Sequence, residues 1–191
     1  MTKSNSIRDL VLCSLFAALV AIGAFIKISI PLEPFSMHFT LQIFFALLAG
    51  LLLGPRLGII SVGIYLILGL VGIPIFAAGG GLSYLVRPTF GFLLGFAFAA
   101  WLAGQIAQKL RRNTLLQLFL SAAAGMMAYY LSGMVYFYII SNYVIHMPVT
   151  WGVVLVNCFL ITVVPDLILS FLAALLALRL QPEMQRILHT R

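Results

Sequence analysis

Thr162, Asp166 and Ser170 stand four apart in a stretch otherwise dominated by Val, Ile, Leu and Ala. That spacing puts all three on one helix face. The chain has 4 carboxylates, and Asp166 lies deep in the apolar run 153–178, beside Pro165. A charge at such depth costs roughly 2.5–3.5 kcal/mol on insertion scales, and residues of this kind face a protein interior or a watery cavity. Asp166 is therefore the first candidate for a ligand contact. Pro165 could bend the helix and free a carbonyl nearby. The plainer alternative is an aspartate that only joins two helices. Asn157 falls on the opposite side of an unkinked helix.

Arg87 is the natural opposite charge. It precedes Pro88, a good first residue for a helix, so it would stand near a positive helix end where anions are favoured. Its guanidinium can hold a carboxylate with two bonds; a snorkelling interface arginine is the alternative. Gly79-Gly80-Gly81, with Ser83 beside it, would let backbone come close to a ligand. Thr40 and Gln42 follow a proline-rich connection, and Gln42 brings one acceptor and two donors. Such an amide serves either as glue between helices or as a ligand contact. Phe35 and Tyr84 could wall a pocket, although most Tyr residues near a membrane boundary are belt residues.

Several chemistries have no support. His38, His146 and His189 are scattered without metal-ligand spacing, and no metal is expected. No HExxH, GxSxG or second embedded Asp occurs, and no GxxxxGK[ST] phosphate loop exists, so neither catalysis nor ATP hydrolysis is expected. The two cysteines, Cys13 and Cys158, both lie in apolar runs and are read as packing residues.

These residues need a scaffold. Of 191 residues, 63% are hydrophobic and 8% charged, with mean hydropathy +1.17; a soluble domain carries about 25% charge. The expected fold is all-α, a single membrane domain over residues 1–191. Spanning a bilayer takes about 20 apolar residues. Six helices are expected, at about 10–30, 39–53, 57–72, 88–107, 115–138 and 151–178, the second and third being short. The net charge of +7 is a topology signal and not a nucleic-acid signal. With the N-terminus inside, Lys3, Arg8, Arg56, Lys109, Arg111, Arg112, Arg179, Arg186 and Arg191 are all inner, and only Lys27 and Arg87 are outer. That bias predicts cytoplasmic N- and C-termini. The outer connections, 29–38, 72–87 and 141–150, are apolar and rich in Gly and Pro. Such backbone is tolerated where it lines a cavity, so an outward-facing pocket with loop lids is expected. Small residues on the first helix, Ser14, Ala17, Ala21 and Ala24, would allow close approach of another helix, as would Gly91 and Gly95 on the fourth.

Four segments together resemble the BioY family: PFSMHFTLQ (Pro34–Gln42), LLAGLLLGPRLG (Leu47–Gly58), the long stretch Tyr65–Phe96 and VPDLILSFLAALLA (Val164–Ala177). These proteins are the biotin-specific S components of energy-coupling factor transporters. The resemblance implies a six-helix membrane protein that binds biotin from outside with high affinity. It implies assembly with a transmembrane coupling subunit and two ABC-type ATPases, which alone use ATP. It further implies that Ala17 and Ala21 dock on the coupling subunit, and that the FTLQ segment, the glycine loop and Asp166 line the biotin site. Where the family pattern often has a Lys three residues after the Asp, this chain has Leu169, which throws weight onto Arg87. A ureido group could bond to Asp166, with Gln42 or glycine-loop amides on its carbonyl. Tyr84 and Phe35 would cover the apolar ring, and Arg87 would take the acid tail. Lid closure by the first two outer connections would follow capture. The rival readings are an S component for another vitamin, an intramembrane enzyme using Asp166 as a base, and a purely structural subunit.

Overall fold

The computed structural model describes residues 3–30, 37–110 and 114–189. It is mostly helical. Helix α1 covers Lys3–Phe25. The expected continuation to residue 30 does not occur: Lys27–Ile30 is a strand, β1, paired antiparallel with Met37–Thr40, β2. Two local preferences explain this departure from the expected bounds of the first helix. Ile26, Ile28 and Ile30 are β-branched and favour extended backbone, and the residue before Pro31 is pushed out of the helical region. The peptide N–H of Leu41 then donates to the carbonyls of both Gly23 and Ile26, at 3.2 and 3.1 Å. The hairpin is thereby sewn to the end of α1.

Helix α2 covers only Gln42–Leu53, and nearly every residue in it is buried. A helix apolar on all sides belongs inside a bundle, and α2 is the central rod, touched by α1, α3, α4 and α7. The chain turns at Gly54, whose φ of 85° suits glycine, and Pro55 starts α3, Pro55–Val71. After the irregular connection 72–89, with a 3₁₀ turn at Leu82–Val86, α4 runs Phe90–Lys109. Helix α5 runs Leu115–Ile139 and ends in a π-helical turn, Ile140–Val144. Thr114 caps it by accepting from the Gln117 N–H.

The last expected helix, 151–178, is two. Helix α6, Trp151–Leu155, passes through a π-helical turn, Val156–Leu160, and breaks before α7, Val163–His189. Pro165 is the cause: its ring cannot tolerate the carbonyl four residues back, at Ile161, and it supplies no N–H. It opens a new helix instead, which places Asp166 in the first turn of α7. A carboxylate is favoured there by the helix dipole.

Helices α4 and α5 cross closely. A Cβ added at Gly91 would meet the Tyr136 Cβ at 2.2 Å, and one at Gly95 would meet the Ser132 Oγ at 2.7 Å. The small pair Gly91–Gly95 thus serves packing within the chain. Among the described residues, four helices are long and apolar enough to cross a membrane: Ile7–Phe25, Phe90–Lys109, Leu115–Val144 and Val163–Ile187.

Candidate ligand-binding site

A cavity lies between the helical bundle and the irregular segments 37–42 and 72–89. Its free space is about 580 Å³ when space open to solvent is counted, of which only about 50 Å³ is room for the centres of water-sized molecules, so the cavity is narrow in this state. His38, Phe39 and Thr40 of β2 border it together with Ala77 and Tyr84 of the connection. Phe92 and Phe96 of α4 and Tyr129 of α5 form the opposite wall. Cys158 and Thr162, on either side of the α6–α7 break, complete it.

The aromatic wall is held in a fixed arrangement. The Tyr129 ring stacks on Phe96 at 5.2 Å with 8° between planes, and Phe92 lies 5.2 Å from Tyr129. A second file of edge contacts runs Tyr65–Phe76–Tyr84–Phe90, at 5.3, 4.8 and 6.3 Å. Such pairs contribute about 0.5–1.5 kcal/mol each beyond area burial.

Two polar groupings interrupt this apolar surface. In the first, Thr40 Oγ1 donates to Gln42 Oε1 at 3.1 Å, and Gln42 Nε2 donates to the Tyr65 hydroxyl at 2.6 Å. Tyr65 in turn donates to the Ile75 carbonyl at 3.4 Å. Gln42 is 1% exposed, its amide orientation is set by two neighbours, and one of its two N–H donors remains uncommitted. In the second, the Tyr130 hydroxyl donates a short hydrogen bond to Asp166 Oδ2. Thr162 Oγ1 lies 3.0 Å from the same hydroxyl and 3.0 Å from the Cys158 carbonyl.

Asp166 is 2% exposed and sits behind the cavity surface. Thr162 is the residue between it and the space. The polar stripe read from spacing therefore exists at its first two members. Ser170, the third, contacts Met126 Sδ at 3.4 Å, which spends it on packing.

Thr40, Gln42 and Tyr84 border the cavity. Arg87 is exposed and lies outside, its guanidinium carbon 4.9 Å from the Tyr84 ring centroid, a cation–π contact at the rim. Ser83 is exposed and does not line the space. Gly80 serves another purpose: a Cβ there would meet the Ile73 carbonyl at 2.4 Å, so it lets the connection pack back onto the end of α3. Phe35 lies outside the described residues. Ala17 is 5% exposed and belongs to the core, with Ala21 packed partly against it. This corrects the expected docking face: the small residues that α1 turns outward are Ser14 and Ala18.

Residues not anticipated from the sequence are His38, Phe92, Phe96, Thr89 and Tyr129. Lys27 is a further one: its ammonium donates to the Ala77 carbonyl and ties the hairpin to the 72–89 connection. His38 has its imidazole pKa lowered, first by burial and then by the positive charges of Lys27 and Arg87. Three basic groups therefore gather at this end of the cavity.

Comparison with known proteins agrees with this architecture. Residues 1–186 match the BioY family. The "Probable biotin transporter BioY" of Lysinibacillus sphaericus is 42% identical over 180 residues, covering 94% of this chain and 90% of that protein. The "Biotin transporter BioY" of Thermotoga maritima is 37% identical over 177 residues, covering 91% and 96%. A solved structure, the S-component for biotin from an ECF-type ABC transporter, superposes with a TM-score of 0.82 at 24% identity over 95% of both chains, which shows a shared fold. With its apolar spanning helices and a family match over nearly its whole length, this membrane chain belongs to the BioY family.

Proposed function

We propose that this chain is the biotin-capturing subunit of an ATP-driven vitamin importer, and that it acts by binding and not by catalysis. The names of its relatives supply the vitamin. The observation that carries the reading is the pairing of a half-enclosed aromatic cavity with two sets of oriented polar groups. Biotin combines a ureido ring, an apolar sulfur ring and a carboxylate tail. The ureido ring fits the Thr162–Tyr130–Asp166 end, the sulfur ring fits Tyr84, Phe92 and Phe96, and the tail points to the basic rim of Lys27, His38 and Arg87.

Six crossings with both termini cytoplasmic fit the charge distribution. Helices α1 to α5 supply five, and α6 with α7 the sixth. The 12 residues of α2 span only about 18 Å at 1.5 Å each, and the β1–β2 hairpin completes that crossing on the outer side. The cavity then opens outward. Entry requires the hairpin and the 72–89 connection to part, and capture lets them close again. A ligand drives such a change only through its differential affinity for the two states.

The chain has no phosphate loop, so energy must come from partners: a transmembrane coupling subunit and two ABC-type ATPases. The exposed side of α1, including Ser14 and Ala18, offers a face for the coupling subunit. Calorimetric titration of the detergent-purified chain with biotin tests the reading. Saturable one-to-one binding that other vitamins do not compete away is expected. Absence of heat with biotin, or chemical conversion of biotin on incubation, would reject it.

A further inference from the structure

Counting protons around the cavity separates its donors from its acceptors. A hydroxyl has one proton to give. That of Tyr130 goes to Asp166. That of Thr162 goes to the Cys158 carbonyl or to the Tyr130 oxygen, both within 3.0 Å. The Thr162 wall has therefore spent its protons and offers lone pairs alone.

Tyr129 is the exception beside this wall. Its ring is clamped between Phe96 and Tyr130, with centroids at 5.2 and 5.0 Å. Its backbone is pressed by α4, where a Cβ on Gly95 would meet the Tyr129 carbonyl at 2.8 Å. The hydroxyl has no hydrogen-bond partner among the described residues. It is not among the buried side-chain atoms left without a partner, which belong to Arg8, Ser141 and Gln181, and the residue borders the cavity. A rigid ring that carries an uncommitted O–H next to a wall of acceptors is a donor waiting for an acceptor on the ligand.

We infer that Tyr129 determines specificity at this site by donating its hydroxyl proton to the carbonyl oxygen of a cyclic urea, whose N–H groups meet the Thr162 wall. This inference rests on the function proposed above. The donor–acceptor pattern of the wall is complementary to N–H, C=O, N–H in a ring. It discriminates against a head group in which the carbonyl is replaced by a donor, because two donors would then face each other and the buried hydroxyl would lose its partner.

The test measures equilibrium binding to the full chain in detergent, wild type against Tyr129→Phe. Three probes are used: biotin, desthiobiotin, which keeps the urea but lacks the sulfur ring, and 2-iminobiotin with its guanidinium protonated, which lacks the carbonyl. Removing one such bond changes affinity about tenfold. Tyr129→Phe is expected to weaken biotin and desthiobiotin by that same factor and protonated 2-iminobiotin by less than about twofold, with the melting temperature unchanged. Unaltered biotin affinity in Tyr129→Phe overturns the inference, as does a loss seen with biotin and not with desthiobiotin, which would assign the residue to ring packing. Wild type that binds no biotin would remove the proposed function and the inference together; wild type that binds with Tyr129→Phe equal to it removes the inference alone.

Discussion

Along its helical side the cavity is bounded by α4, α5 and the α6–α7 junction, joined by glycine crossings, stacked rings and the Tyr130–Asp166–Thr162 network. Its other side is the β1–β2 hairpin and the 72–89 connection, held by scattered single bonds: Lys27 to the Ala77 carbonyl, Tyr65 to the Ile75 carbonyl and Tyr136 to the Leu85 carbonyl. The two sides differ in how much breaks when one group is removed. On the helical side Tyr130, Asp166 and Thr162 form one buried hydrogen-bonded group, so a deletion there disturbs a buried partner. On the loop side most links end on a backbone carbonyl that water can satisfy. Recognition is assigned to the first region and access to the second.

The largest effect should come from breaking the helical side at its charge. Asp166→Ala removes the buried acceptor to which the Tyr130 hydroxyl donates. A hydrogen bond to a charged group contributes about 1.5–3 kcal/mol, so biotin affinity by calorimetry should fall roughly 10- to 100-fold, with a lowered melting temperature. Asp166→Asn should lose less of both, since it keeps an acceptor. Gly95→Val probes the same region by shape. Its Cβ would meet the Tyr129 carbonyl at 2.8 Å, and overpacking costs about 1–3 kcal/mol. Thermal unfolding should occur earlier, and binding should weaken through displacement of Tyr129.

On the loop side, Lys27→Met should leave the melting temperature nearly unchanged. It should speed release of bound ligand about 3- to 10-fold in stopped-flow chase experiments, the worth of one hydrogen bond. Equal damage to stability by Lys27→Met and Asp166→Ala would erase the distinction between the two regions. The smallest effect concerns acidity. The pKa of His38 is lowered in the folded chain, so its contribution to stability is present above the ordinary imidazole value, about 6.5. It is lost as pH falls through the lowered one. Ligand-free protein should therefore melt at a lower temperature between about pH 7 and pH 5, and His38→Gln should flatten part of that slope.

What the sequence allowed to be read follows the same division. Asp166, Thr40 and Gln42 stand out in the sequence because a polar side chain in an apolar run has a cost that demands an explanation. Phe92, Phe96 and Tyr129 were not, because an aromatic residue in a membrane helix looks the same whether it faces lipid, core or ligand. Spacing put Ala17 and Ala21 on one face without saying which way that face turns; Ala17 is buried and Ala21 partly so. Pro165 was read as a bend, and its consequence is larger: a new helix start that sets Asp166 in a favourable first turn. Lys27 looked like the end of a helix. Only the strand pairing Lys27↔Thr40 brings it to the connection that it fastens.

The junction at Leu41 has a mechanical implication. Its N–H grips both Gly23 and Ile26, and on either side of it stand Thr40, the last residue of the hairpin, and Gln42, the first of α2. Gate and grip are thus neighbours on one continuous thread. On the function proposed above, moving the hairpin would also move Thr40, which holds the Gln42 amide through its hydroxyl, so the entrance and that amide would respond together.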